Sequence, residues 1–159
     1  QALSNISDSF SYGSQNRMSQ LFTPKIDKVV FAATKADQIL TRDHFSLVKL
    51  LSSLVEQAYE AAEFEGVKPE TLAVAGVRSS REVTHDGEPG LSGFDTDGNY
   101  IGYVPPTIPT FIPKNTQHQF FSGWKIPKFN PPIPSDENEA VPHIRIDNVL
   151  KILIGDKCS

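Results

Sequence analysis

Four residues, Thr34-Lys35-Ala36-Asp37, stand directly after the apolar run Val29-Val30-Phe31-Ala32-Ala33. Their types and spacing suit recognition of a flat polar ring. One carboxylate can accept two adjacent donors, and such charge-assisted pairs are the strong kind. Guanine carries that donor pair, its ring N1–H and its exocyclic amine, and adenine does not. An Asp here, Asp37, would therefore select guanine. Lys35 can lay its methylene stem across the ring while its ammonium stays in water. Thr34 is expected to tie the loop to neighbouring backbone through its hydroxyl. On its own, Lys-x-Asp after a strand is more often a solvated loop, so the surrounding elements decide.

Those elements read as a βαβ unit. The run over Lys28–Ala33 lacks polar alternation, which suits a strand covered on both faces. Thr41 is a good helix N-cap. From it Phe45, Val48, Leu51, Val55, Ala58 and Ala62 recur at steps of three and four, and Gly66 is a natural stop. One helix is expected from about 42 to 65. Pro69 then opens a second apolar run, Thr71–Val77. Strand, helix, strand predicts two parallel strands with a right-handed crossover. In such sheets ligands sit beyond the carboxyl ends of the strands. Thr34–Asp37 and Val77-Arg78-Ser79 both fall there.

On either side the chain reads differently. Leu3, Ile6 and Phe10 predict a surface helix, and a second short one is expected around Met18 and Leu21. Over 82–142, prolines and glycines are frequent and the apolar residues mostly aromatic. Asp97-Gly98 predicts a hairpin turn between Phe94 and Ile101/Tyr103. Pro105, Pro106, Pro109 and Pro113 exclude a helix or central strand. This region is expected to be a hairpin plus extended loops, peripheral to the base loop. Asp147 should cap a last helix, Asn148–Ile154, ended by Gly155. Three parts result: an α/β part over 1–81, the hairpin-and-loop insertion over 82–142, and a terminal helix within 143–159 packing back.

Composition bounds the partners. With 159 residues the chain can bury a real core, and 38% hydrophobic with 21% charged is ordinary globular composition. A net charge of −4 argues against nucleic acid, whose phosphates need a basic face. Cys158 is the single cysteine, so no internal disulfide can form and a reducing compartment is expected. No apolar stretch approaches the roughly 18 residues of a membrane span. A cytoplasmic location fits. Several side chains have bland readings. Arg78 and Arg81 read as solvent-facing rather than phosphate-binding, and His85-Asp86 as a loop. In the stretch that starts Asp95-Thr96-Asp97-Gly98-Asn99, the sixth position, where a calcium loop needs glycine, is Tyr100 and no glutamate stands at the twelfth, so it reads as a turn. Trp124 reads as a core anchor.

Thr-Lys-x-Asp after a hydrophobic strand resembles the base-specificity motif of P-loop GTPases, with Thr in place of the commoner Asn. "KIDKVVFAATKADQI", the helix after it, "VRSSRE" and "PHIRIDNVLKILIGDK" are together similar to the YcjX family, bacterial stress-associated proteins with a P-loop GTPase-like fold. The resemblance implies part of a three-layer α/β domain with parallel strands and flanking helices. It also implies GTP or GDP as ligand. By the same pattern Gly76-Val77-Arg78 matches the second base loop, usually Ser-Ala-Lys, with the Val77 N–H offered to the guanine O6. Gly76 departs from the usual Ser.

The phosphate loop Gly-x-x-x-x-Gly-Lys-Ser/Thr occurs nowhere in the chain. The resemblance places it, with the Mg2+ ligands, in an N-terminal remainder. These residues alone should then not hydrolyse GTP, although the longer protein reads as a slow GTPase. A second reading stays open: a non-catalytic interaction module, with a vestigial nucleotide site and a protein partner docked through 82–142.

Overall fold

The computed structural model describes residues 26–111 and 124–157. The two helices expected before residue 22 lie outside these residues. The first strand, β1, spans Lys28–Ala33. Next comes a 3-10 turn, Ala36–Gln38, and another at Thr41–Asp43. Helices α1 (His44–Leu54) and α2 (Glu56–Phe64) lead to strand β2, Lys68–Ala73. β1 and β2 pair in parallel from Lys28↔Lys68 to Ala33↔Ala73, as expected.

The details depart from the sequence reading in ways local physics explains. The single helix over 42–65 is two. Val55 between them has φ −106° and ψ 12°, yet its N–H still reaches the Leu51 carbonyl and its own carbonyl accepts from Tyr59. The chain bends there around a buried Val55 rather than unwinding. Thr41 makes no side-chain cap; it opens the 3-10 turn, and its backbone N–H donates to the Glu82 carboxylate. The buried stripe is also displaced in α1, while Val55, Ala58 and Ala62 are buried as expected. Phe45 is exposed, with Lys49 5.4 Å above its ring, whereas Leu50 is buried with Ile39 and Ile108. Leu47, Leu54 and Trp124 pack against that cluster, so Trp124 anchors the core as expected. In α2, Ala58 and Ala62, one turn apart, are buried. Gly66, at φ 79°, ends the helix as only glycine does easily.

β2 begins three residues before the expected Thr71 and ends at Ala73. Its first residues include Pro69, which an edge strand tolerates because one row of N–H groups needs no ladder partner. Its end is set by other bonds. Val74 donates to the Ala33 carbonyl (2.8 Å), Ala36 donates back to Val74 (2.9 Å), and Ala75 turns to pair with Ile144. Among the described residues β1 is half-buried, with Ala32 exposed.

The stretch after Ser80 is more regular than expected. Strands β3 (Arg81–His85), β4 (Glu88–Phe94) and β5 (Tyr100–Tyr103) form an antiparallel meander. The β4–β5 hairpin turns at Asp97-Gly98, as expected. The His85-Asp86 pair, read as a loop, closes β3 and opens a second tight turn: Asp86 and Gly87 both have positive φ, 51° and 84°. Asp95 serves the other turn. Its carboxylate accepts the N–H groups of Asn99 (2.8 Å) and Asp97 (2.9 Å), which, the Asn99 bond foremost and with further bonds in the turn, hold its pKa below the usual carboxylate value.

The last helix, α3, is Ile146–Ile154 and packs on β1. It starts at Ile146 because Arg145 is left-handed (φ 54°), not because Asp147 caps it. Gly155 (φ −59°) does not stop the chain, which runs on as a 3-10 turn to Lys157. An ion pair between Lys28 and Asp156 ties this end to the start of β1.

Candidate functional site

Thr34, Lys35, Asp37, Gly76 and Val77 line one open cleft of about 570 Å3 at the carboxyl ends of the parallel strands. Arg78 is not among its lining residues. Arg78 is instead engaged through its backbone, whose N–H donates to the Pro142 carbonyl (2.7 Å). Two loops thus meet where open α/β sheets place their ligands.

The first loop leaves β1 by a sharp left-handed turn at Lys35 (φ 60°, ψ 35°). For a residue with a Cβ that conformation costs roughly 1 kcal/mol or more. Offsetting bonds hold it. The Ala36 N–H donates to Val74, and the Ala36 carbonyl accepts Nε2–H of His44 (2.9 Å). His44 is itself buried, and its Nδ1 faces Arg145 Nη1 at 3.0 Å. The same Nη1 donates to the Ala73 carbonyl (3.1 Å). A guanidinium can only donate, so Nδ1 is the acceptor and the imidazole is neutral. Burial, with the charge of Arg145, keeps the His44 pKa below its ordinary value, despite the opposing Ala36 bond. A chain of bonds from Arg145 through His44 to Ala36 thereby braces the loop from behind.

With Ala36 fixed, Asp37 turns inward and is 7% exposed. Its Oδ2 accepts the Ser79 N–H (3.0 Å), and its backbone carbonyl accepts the buried Ser80 hydroxyl. Oδ1 has no hydrogen-bond partner among the described residues. A carboxylate has about four lone-pair sites, so one bond from Ser79 orients it without exhausting it. Among the described residues the Thr34 hydroxyl does not make the expected tie, and the Asp37–Ser79/Ser80 bonds join the loops.

The second loop is strapped from outside. Ala75 and Ile144 exchange both backbone bonds (3.0 and 2.9 Å), and Arg78 reaches Pro142. Between these ties the Gly76 and Val77 N–H groups have no partner among the described residues. A Cβ on Gly76 would meet nothing within 4 Å, so a serine there would fit.

The rest of the lining was not anticipated. Thr96, Lys128, Phe129 and Asn130 come from the region expected to stay clear of the base loop. Ser79 and Ser80 stood in the "VRSSRE" stretch, but nothing local marked them as partners of Asp37.

The chain is a mixed α/β protein whose candidate site lies at the carboxyl edge of parallel strands. It belongs to the YcjX-like family, DUF463, whose family model matches residues 1–158. It is 35% identical over 163 residues to the Ras-like GTPase YcjX of Escherichia coli (strain K12), across 98% of this chain and 34% of that protein. The Ras-like GTPase YcjX of Shewanella oneidensis is 33% identical over 166 residues, 98% of this chain and 33% of that protein. The chain thus spans about a third of the length of these relatives. Among the described residues no helix is long and apolar enough to cross a membrane.

Proposed function

We propose that this chain is the base-reading part of a longer P-loop GTPase-like protein, and that its cleft holds the guanine of GTP or GDP. The observation that carries the reading is Asp37. A carboxylate oriented by the Ser79 N–H keeps Oδ1 for the base, at the mouth of a cleft that Lys35 also lines. The Val77 N–H, without a partner among the described residues, suits the guanine O6. The residues present therefore fit a guanine base. The relatives' name, Ras-like GTPase, agrees with that choice of ligand.

Other parts of the reading rest on the family resemblance. Phosphate binding and Mg2+ ligands belong to an N-terminal remainder that completes the three-layer domain, and hydrolysis by the whole protein is slow. In that arrangement 1–81 and the terminal helix build the α/β body and 82–142 is an insertion. A stress-response role in the cytoplasm follows the same resemblance.

Titration of the full-length protein with GDP and ADP tests the base reading. GDP should bind far tighter than ADP, and Asp37→Ala should remove about 3 kcal/mol, over a hundredfold in GDP affinity. Equal affinity for the two nucleotides would overturn it. One observation favours the second reading, an interaction module: Phe94, Tyr100, Val104, Phe111 and Ile133 of the 82–142 region are exposed. That reading predicts partner binding unaffected by nucleotide.

A further inference from the structure

The cleft has a third wall, and it comes from far along the chain. Lys128, Phe129 and Asn130 line it with Thr96 of the β4–β5 turn. This wall is built into the meander. The Asn130 N–H donates to the Phe94 carbonyl (2.7 Å), and its side-chain amide donates to the Asp95 carbonyl (2.7 Å). Phe129 is buried in a space that exists because residue 93 is glycine. A Cβ there would stand 2.7 Å from the Phe129 ring and 2.8 Å from the Ser79 carbonyl. Ser79 is the residue whose N–H orients Asp37. Phe129 and Ser79 thus both stand close against Gly93, and the wall adjoins the part of the site that positions the carboxylate.

Directly before these two anchored residues, Lys128 is exposed and has no ion pair among the described residues. It shares the cleft with Lys35, while Asp37 is the acidic residue in the lining. Two lysine stems and one oriented carboxylate suit a flat, electron-rich ring gripped on its faces and read at its edge.

We propose that Lys128 is a binding residue for the purine ring, its stem forming part of this third wall of the cleft that Lys35 also lines. The proposal rests on the guanine reading above. It names a residue from the 82–142 region as part of nucleotide recognition, where a peripheral insertion would contribute none.

The test is nucleotide affinity of the full-length protein, with GDP and GMP as probes and Lys128→Ala as the variant. Lys125→Ala is the control, since Lys125 is exposed but not in the cleft lining. Loss of one stacked, partly desolvated stem should weaken binding about tenfold. Because the contact is to the base, the factor should be the same for GDP and GMP, and Lys125→Ala should leave both unchanged. A Lys128→Ala protein within twofold of wild type would overturn the proposal. So would a loss seen with GDP and absent with GMP, which would place Lys128 on the β-phosphate, the one group GMP lacks. Failure of the wild-type protein to prefer GDP over ADP would instead refute the guanine reading itself, a result separable from both.

Discussion

Replacing His44 with alanine removes the middle link of the brace behind the base loop. The Ala36 carbonyl, in a residue with no solvent exposure, loses its imidazole donor. Arg145 keeps Ala73 but loses Nδ1. An unsatisfied buried acceptor costs about 1–3 kcal/mol, and the void left by the ring adds to it. The sum should be about 3 kcal/mol, read as faster hydrogen exchange of the β1 and α1 amides in the full-length protein. His44→Gln, whose amide can donate to Ala36, should recover part of the loss. The pH dependence gives a second readout. The folded-state His44 pKa lies below 6.5, so between that value and 6.5 the unfolded chain binds more protons. Stability is then full above 6.5 and falls as pH drops through the lowered pKa. Glu82, held down chiefly by its hydrogen bonds from Thr41, loses its contribution at lower pH, below 4.5. On acidification the His44 loss begins first, below 6.5, and the Glu82 loss only below 4.5. Wild-type protein should lose protection of these amides below pH 6.5, and His44→Gln should show a flatter profile there. Alanine within about 0.5 kcal/mol of wild type, an ordinary surface effect, would refute the brace.

Two further substitutions test the packing. Gly93→Ala drives a Cβ into the Phe129 ring and the Ser79 carbonyl, so about 1–3 kcal/mol of stability should be lost in urea unfolding, with GDP affinity falling as well. An unchanged midpoint would mean that Phe129 is not seated there. Gly87→Ala places a Cβ at φ 84° in the β3–β4 turn, where nothing crowds it but the backbone is strained. About 1 kcal/mol should be lost there, with GDP affinity unchanged, since Gly87 is not in the cleft lining.

What could be read from the sequence was what is local. The apolar run of β1 and the amphipathic stretch after it carry their own periodicity, and Asp97-Gly98 carries its turn. Asp86-Gly87 is the same signal, and it marks the β3–β4 turn that a loop reading passed over. The limits of β2 were not local. They depend on Val74 and Ala75 handing their bonds to Ala33, Ala36 and Ile144. Nor could spacing show that Arg145 would be left-handed, since the conformation goes with bonds to residues 72 and 101 positions away. The site divided in the same way. Lys35 and Asp37 announced themselves by type and position after a strand, and Gly76 and Val77 entered through the family pattern. Ser79 and Lys128 have ordinary local surroundings, and only the tertiary fold brings them to Asp37 and the cleft.

Base preference of the full-length Asp37→Asn protein tests the guanine reading most directly. The asparagine Oδ1 can keep the Ser79 N–H bond, so the loop should retain its shape. Its amide then donates where the carboxylate accepted, which suits the carbonyl that xanthine carries in place of the guanine amine. The variant should lose GDP by about a hundredfold or more and bind XDP more tightly than wild type does, as expected when a site pairs with one specific group. An Asp37→Asn protein that binds GDP as wild type does, with no gain for XDP, would contradict the assignment of Asp37 as the base-reading residue.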